Sequence, residues 1–321
     1  MLIDRFRRDP SLWGILLGVV YGVTARLTFN NPAYGSIFAT MTLAFLVVVP
    51  PVIGYLTVAV KENPSRRSAI ITPWISCLVI VVITMFVGLE GAICVAMGLP
   101  LMMILSSIGG LVARSSGRYK QRAAPVLLIL PYIVAPIENQ RPNRPEIITT
   151  ATQIVINAPV STIWPLVVSV DSIKPSEMRR ALFTTIGFPR PVSAVLSHEG
   201  LGGVRRAKFT GGLVFTETVT DWRPGVQLSF TIRPNTNEIP PGTLDPHVTI
   251  GGPYFDVLTG TYTLEAMGPN TTLLRLFSRH RVSTPFNGYS GLWADQIMKS
   301  IQTNILEVIR ARAEAPRTWL T

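Results

Sequence analysis

Hydrophobic positions follow two different patterns along the chain. From residue 11 to residue 137 they form long uncharged runs parted by short basic stretches, and after Glu138 they alternate with polar residues in short segments. A helix needs ~20 mostly apolar residues to cross the hydrocarbon core of a bilayer. The first candidate is 11–29, with Trp13 and Tyr21 as amphipathic aromatics and Arg26 close enough to its end to snorkel. The second, 36–60, carries Pro50 and Pro51, which predict a kink because neither has a backbone donor. Runs 68–88 and 91–112 are parted only by a tight connection at Leu89 and Glu90, which predicts an antiparallel hairpin. A fifth run, 123–137, is short and holds Pro125, Pro131 and Pro136, so crossing, re-entry and an interfacial position all fit. The expected organisation is a transmembrane region, 1–137, with four to five helices. A linker, 138–146, follows, whose ENQRPNRP composition disfavours helix.

Beyond the linker the period changes. A strand over 147–157 leads to Ala158-Pro159, where proline can open a helix, and helical signals continue to about Arg180. Strands are predicted at 191–199, 203–209, 213–222, 226–233, 257–266 and 271–283. The end is an amphipathic helix, 289–312, with Trp293, Ile297, Ile301, Ile305 and Val308 on one face. Val226, Leu228, Phe230 and Ile232 share one side of their strand, opposite Gln227, Ser229, Thr231 and Arg233. A sheet with one dry face must cover it, and the apolar face of the terminal helix is the available cover. The fold class is therefore α+β, with a second domain over 147–314 and a tail over 315–321.

Charge refines this picture. Net charge is +11 at 15% charged residues and a mean hydropathy of +0.38. Many of the basic residues of the first half flank apolar runs, where they anchor and orient helices, and those of the second half are spread along strands. No nucleic-acid motif accompanies them, so nucleic acid is not an expected partner. Arg5, Arg7 and Arg8, then Lys61, Arg66 and Arg67, then Arg114, Arg118, Lys120 and Arg122 occupy every second connection between successive runs, and so share one side. Positive-inside reasoning places these loops and the N-terminus in the cytoplasm of a bacterial inner membrane or other plasma membrane. The favoured reading has the fifth run crossing, which places the C-terminal domain on the extracytoplasmic face; without the crossing it lies inside. The N-terminus reads as an uncleaved first anchor. Cys77 and Cys94 both sit in apolar runs, leaving neither a disulfide framework nor a metal site for the second half. No cofactor motif is present: GLGGVR lacks the third glycine and the βαβ context of a dinucleotide site. Glycines 14, 18 and 22 repeat at four-residue spacing, for packing either within the bundle or against another helix.

Strand alternation also turns polar groups inward. Glu217 shares a face with Leu213, Phe215 and Val219, and Arg205 shares one with Ala207 and Phe209. Buried charges need partners, so these two pair with each other or with a ligand's polar head. His280 falls with Leu274, Leu276 and Ser278, either as a core histidine or as a catalyst, and Tyr262 with Leu258 and Leu264. His247, with Asp245 and Tyr254 nearby, lies in the long Pro- and Gly-rich segment 234–256, which is a lid or a surface loop.

The opening ITTATQIVINAPVSTIWPLV, the GLGGVR turn, VTDWRPG with Leu228 and Phe230 after it, and the long terminal helix occur in the order of one known family. Residues 147–314 resemble the START-like superfamily, also called SRPBCC or polyketide cyclase and lipid-transport-like. The resemblance implies a helix-grip fold, a curved antiparallel sheet around a C-terminal helix with an apolar cavity between them. It further implies binding or carriage of a lipid, isoprenoid or polyketide-like molecule, with membrane lipids as neighbours. Arg205, Glu217, Phe230, His247, Tyr254, Tyr262, His280 and Trp293 are the expected ligand-binding residues. A cyclase- or hydratase-type enzyme is the alternative, with Glu217 or His280 as general base and Arg205 stabilising negative charge. A structural or sensory protein-binding module is the third. Oligomeric state is not specified by the sequence.

Overall fold

The computed structural model describes residues 9–35, 37–117, 120–179, 182–235 and 249–315. It divides into two compact units, Met1–Arg144 and Pro145–Thr321.

The first unit is helical. Helix α1 spans Pro10–Phe29, with the Asp9 side chain accepting a hydrogen bond from the Ser11 amide and proline in its first turn. A π-helical turn, Ala44–Val48, runs into α2, Val49–Ala59. The widened turn answers the predicted kink: Pro50 and Pro51 can donate no hydrogen bonds back to Leu46 and Val47, and their rings crowd those carbonyls. Helices α3 (Arg66–Phe86), α4 (Ala92–Ser115) and α5 (Lys120–Asn139) complete the unit. Three of these, α1, α3 and α4, are long and apolar enough to cross a membrane, and two shorter apolar helices cover Ala44–Ala59 and Pro125–Asn139.

Polar contacts tie the bundle together. Thr57 and Ser76 hydroxyls are 2.9 Å apart between α2 and α3. The Trp74 indole donates to Met103 O and Ser107 Oγ between α3 and α4, and Tyr21 donates to Leu128 O between α1 and α5. Arg26 does not snorkel. Its side chain is buried, with Nε on the Glu90 carboxylate and Nη2 2.6 Å from Leu89 O, so the carboxylate of the α3–α4 connection draws it inward. The glycine repeat of α1 packs within the bundle, because a Cβ at Gly14 or Gly18 would overlap Thr57 and one at Gly22 would overlap Ile80. Glu138 and Asn139, assigned to the linker by composition, close the last turn of α5. There the Glu138 carboxylate accepts from the amides of Leu43 and Ala44 and caps the helical turn that begins at Ala44.

The second unit is a helix-grip fold. Its sheet has seven antiparallel strands in the order β1-β7-β6-β5-β4-β3-β2. These are β1 (Glu146–Ile156), β2 (Pro191–Leu196), β3 (Val204–Phe209), β4 (Val214–Arg223), β5 (Gln227–Pro234), β6 (Phe255–Gly268) and β7 (Thr271–Val282). Short helices α6 (Val160–Val168) and α7 (Leu182–Thr185) lie between β1 and β2, and the long α8, Asn287–Glu314, closes the domain. The β4–β5 connection turns at Pro224-Gly225, where Gly225 has φ +71°, a value that favours glycine. Val226 belongs to this turn and is 52% exposed, whereas Leu228 and Phe230 are buried as their alternation predicts. A bulge between Val257 and Thr259 shifts β6, so Val257 rather than Leu258 is buried ahead of Tyr262 and Leu264. The main core joins Leu228, Phe230, Leu274 and Leu276 of the sheet to Leu306, Val308 and Ile309 of α8 and Ile163 of α6.

Candidate functional site

The concave face of the sheet and α8 line a partly open cavity of ≈ 100 Å³. Its apolar wall comes from Phe215, Phe230 and Leu276 on the strands, from Leu213 just ahead of β4, from Ile297, Met298, Ile301 and Ile305 on α8, and from Phe188 and Pro189 before β2. Gly260 also lines it: the Phe230 ring covers this glycine across the β5–β6 pair, so closely that a Cβ there would sit 2.5 Å from the ring. Among the described residues, the polar side chains that reach the cavity are those of Arg205, Glu217, Tyr262, Ser278 and Gln302.

Arg205 on β3 and Glu217 on β4 are register partners, which places both side chains on the same side of adjacent strands. Arg205 Nε is 2.6 Å from Glu217 Oε2, and Nη1 donates to Val167 O at 2.8 Å, at the end of α6. The guanidinium lies 4.8 Å from the Phe230 ring centre and 5.6 Å from that of Tyr262. Two aromatic faces, a carboxylate and a carbonyl thus replace the water that burial removes. Burial pushes the Glu217 carboxyl above its ordinary range while the adjacent guanidinium pulls it back. Close contact with a permanent cation holds the two as one ion pair without net charge. Burial likewise raises the Tyr262 hydroxyl, keeping the phenol neutral.

Gln302 forms a second polar point on α8. Its amide nitrogen donates to Thr150 O and Ser278 Oγ, and its carbonyl accepts from Thr152 Oγ1, so both ends of the amide are engaged by β1 and β7. Sequence reasoning missed it. The available signal was a polar residue one turn from Met298 and from Leu306 on an otherwise apolar helix face.

Of the residues expected to contact a ligand, Arg205, Glu217, Phe230 and Tyr262 come together at the cavity. Trp293 is not among its lining residues and packs edge-on against Phe183 and Tyr289 instead. Tyr254 is not in the lining either; its carbonyl accepts from the Ser283 amide where β7 ends. His247 and Asp245 fall outside the described residues. Ile250, in the return of the same long segment, does line the cavity and bridges to Phe255.

His280 is fully buried on β7 and is not in the lining. Its ring packs 5.7 Å from that of Phe255, and neither nitrogen has a hydrogen-bond partner among the described residues. Burial holds its pKa below the ordinary value, outweighing the Asp295 carboxylate on α8, which pulls it up. The unfolded chain therefore binds a proton that the folded chain refuses, and stability falls as pH drops through about 6.5. His280→Leu removes two unsatisfied buried nitrogens. It is expected to raise stability by about 1 kcal/mol and to flatten this acid slope, read from thermal unfolding curves across that range. A loss of stability would show that the imidazole has a partner in solution.

No protein-family model and no curated protein sequence matches the chain. Several solved structures are similar to it at low identity. The Zhui aromatase/cyclase from Streptomyces sp. R1128 is 14% identical, with 52% of this chain and 94% of that one covered and a TM-score of 0.32. Truncated norcoclaurine synthase from Thalictrum flavum is 12% identical, over 56% of this chain and 99% of that one, at a TM-score of 0.34. DynU16, a protein of the dynemicin biosynthetic locus, is 16% identical, over 51% of this chain and 46% of its own, at 0.30.

Proposed function

We propose that the C-terminal domain binds a small apolar molecule inside its helix-grip cavity, and that the apolar helices of the first unit tether it to a membrane from which such a molecule is drawn. The observation that carries this reading is the cavity itself. Among the described residues its wall is mostly aliphatic and aromatic, with one neutralised ion pair reaching it. Burying apolar ligand surface supplies affinity at about 25 cal/mol per Å², and a few placed polar groups supply orientation. Tethering raises the effective concentration of the domain at the lipid surface. On this proposal the basic loops keep the N-terminus in the cytoplasm, and the fifth apolar run, if it crosses, exposes the domain on the other face. The sequence resemblance to START-like domains supports the same class of ligand. Glu217, held by Arg205, is better suited to orienting a bound group than to accepting a proton from it.

Filling the cavity tests this. Ile301→Trp projects an indole from α8 into the space, and residues 145–321 carrying it are expected to keep their fold and lose toluene binding in ligand-observed NMR, by at least about tenfold in affinity. Equal binding by the parent and the filled variant would show that the apolar ligand sits elsewhere.

A further inference from the structure

We infer that the cavity selects a ligand whose buried head is neutral and hydrogen-bonding, a hydroxyl or carbonyl on a ring-sized apolar body, and discriminates against a carboxylate. This rests on the apolar-ligand reading above and specifies the chemistry of that same site.

Charge balance at the Arg205–Glu217 pair is the reason. The cation that would attract a carboxylate head, Arg205, already has Glu217 Oε2 at 2.6 Å and Val167 O at 2.8 Å. Both side chains line the cavity, so an anion brought close to the guanidinium is also brought close to the Glu217 carboxylate. Attraction and repulsion then offset each other, and the lost hydration of the anion is left uncompensated. An ammonium head meets the same balance with the signs exchanged. A hydroxyl can donate to the carboxylate and accept from the guanidinium or the phenol of Tyr262, and it gives up far less hydration.

Among the described residues the other polar lining groups do not alter the balance. Gln302 and Ser278 are neutral, and the Gln302 amide is occupied at both ends by Thr150, Ser278 and Thr152. A volume of ≈ 100 Å³ limits what is enclosed. A dry cavity of about 150 Å³ is enough to take up benzene, so this smaller, partly open one holds at most about a single ring or a short branched chain, with part of the body at its mouth.

The test compares three probes that share one ring and differ only in the head: cyclohexanol, cyclohexanecarboxylate and cyclohexylammonium. Each is titrated calorimetrically into the full-length chain in nanodiscs, with empty discs subtracted. Cyclohexanol is expected to bind at least about tenfold more tightly than either ion. In Glu217→Gln the guanidinium is no longer neutralised, and the order between the alcohol and the carboxylate is expected to reverse. Equal or tighter binding of cyclohexanecarboxylate by the wild-type chain overturns the inference and leaves the apolar-cavity reading standing. Failure of all three probes to bind overturns both. The wild-type comparison decides the matter even if the Gln variant does not fold.

Discussion

Glu217→Leu is expected to destabilise the C-terminal domain by about 3–5 kcal/mol, because it leaves the Arg205 guanidinium buried without its counter-charge. Arg205 is 4% exposed and Glu217 7%, so water cannot readily take over for the missing partner. Val167 O and the rings of Phe230 and Tyr262 remain, but none carries a full negative charge. The double variant Arg205→Met, Glu217→Leu should recover most of that loss, since two apolar side chains of similar length need no partners. Urea unfolding of residues 145–321, with the two single variants and the double variant, measures this. A double variant as unstable as Glu217→Leu alone would mean that the pair does more for the fold than neutralise itself. If the double variant also binds toluene more tightly than wild type, the pair is retained for selectivity rather than affinity.

Leucine in place of Gly54 or Gly109 is expected to cost the helical bundle at least about 3 kcal/mol, more than most single changes there. A Cβ at Gly54 would fall on Ser106 O, and one at Gly109 would fall on Pro51 O, so α2 and α4 meet backbone to backbone at both points. Backbone cannot swing aside as a flexible side chain can, and the helices would have to separate along the whole contact. Gly98, also on α4, has nothing within 4 Å of its Cβ position, so Gly98→Ala should stay within about 1 kcal/mol of the parent. Thermal unfolding of the full chain in detergent, followed by far-UV circular dichroism, compares them. Equal midpoints for Gly54→Leu and Gly98→Ala would contradict the close packing.

Much of this molecule was legible from spacing alone, and the reasons differ by element. The strands of the second unit followed from alternation, because each has one wet face and one dry face, and the helix after them from apolar residues three and four apart. Arg205 and Glu217 were placed inward by the same rule, and their register pairing resolved whether they meet each other. Periodicity could not place Leu258, because a bulge shifts the count at Val257 and a bulge has no dependable hydrophobic signature. Nor could it show that His280, though inward, stops short of the cavity, or that Trp293 turns to Phe183 and Tyr289. Both outcomes depend on where α8 lies against the sheet, which no local pattern encodes. Arg26 was read from its position near a helix end, and its distant partner Glu90 overrode that position. The same holds for Glu138, whose place in α5 follows from the amides of Leu43 and Ala44.

Native mass spectrometry of residues 145–321, purified without organic solvent and measured before and after extraction, tests the binding of an apolar molecule most directly. A single stoichiometric adduct that extraction removes, leaving the protein at its sequence mass, is the predicted result. A domain at its sequence mass in both states that also takes up no toluene when offered it would contradict the account.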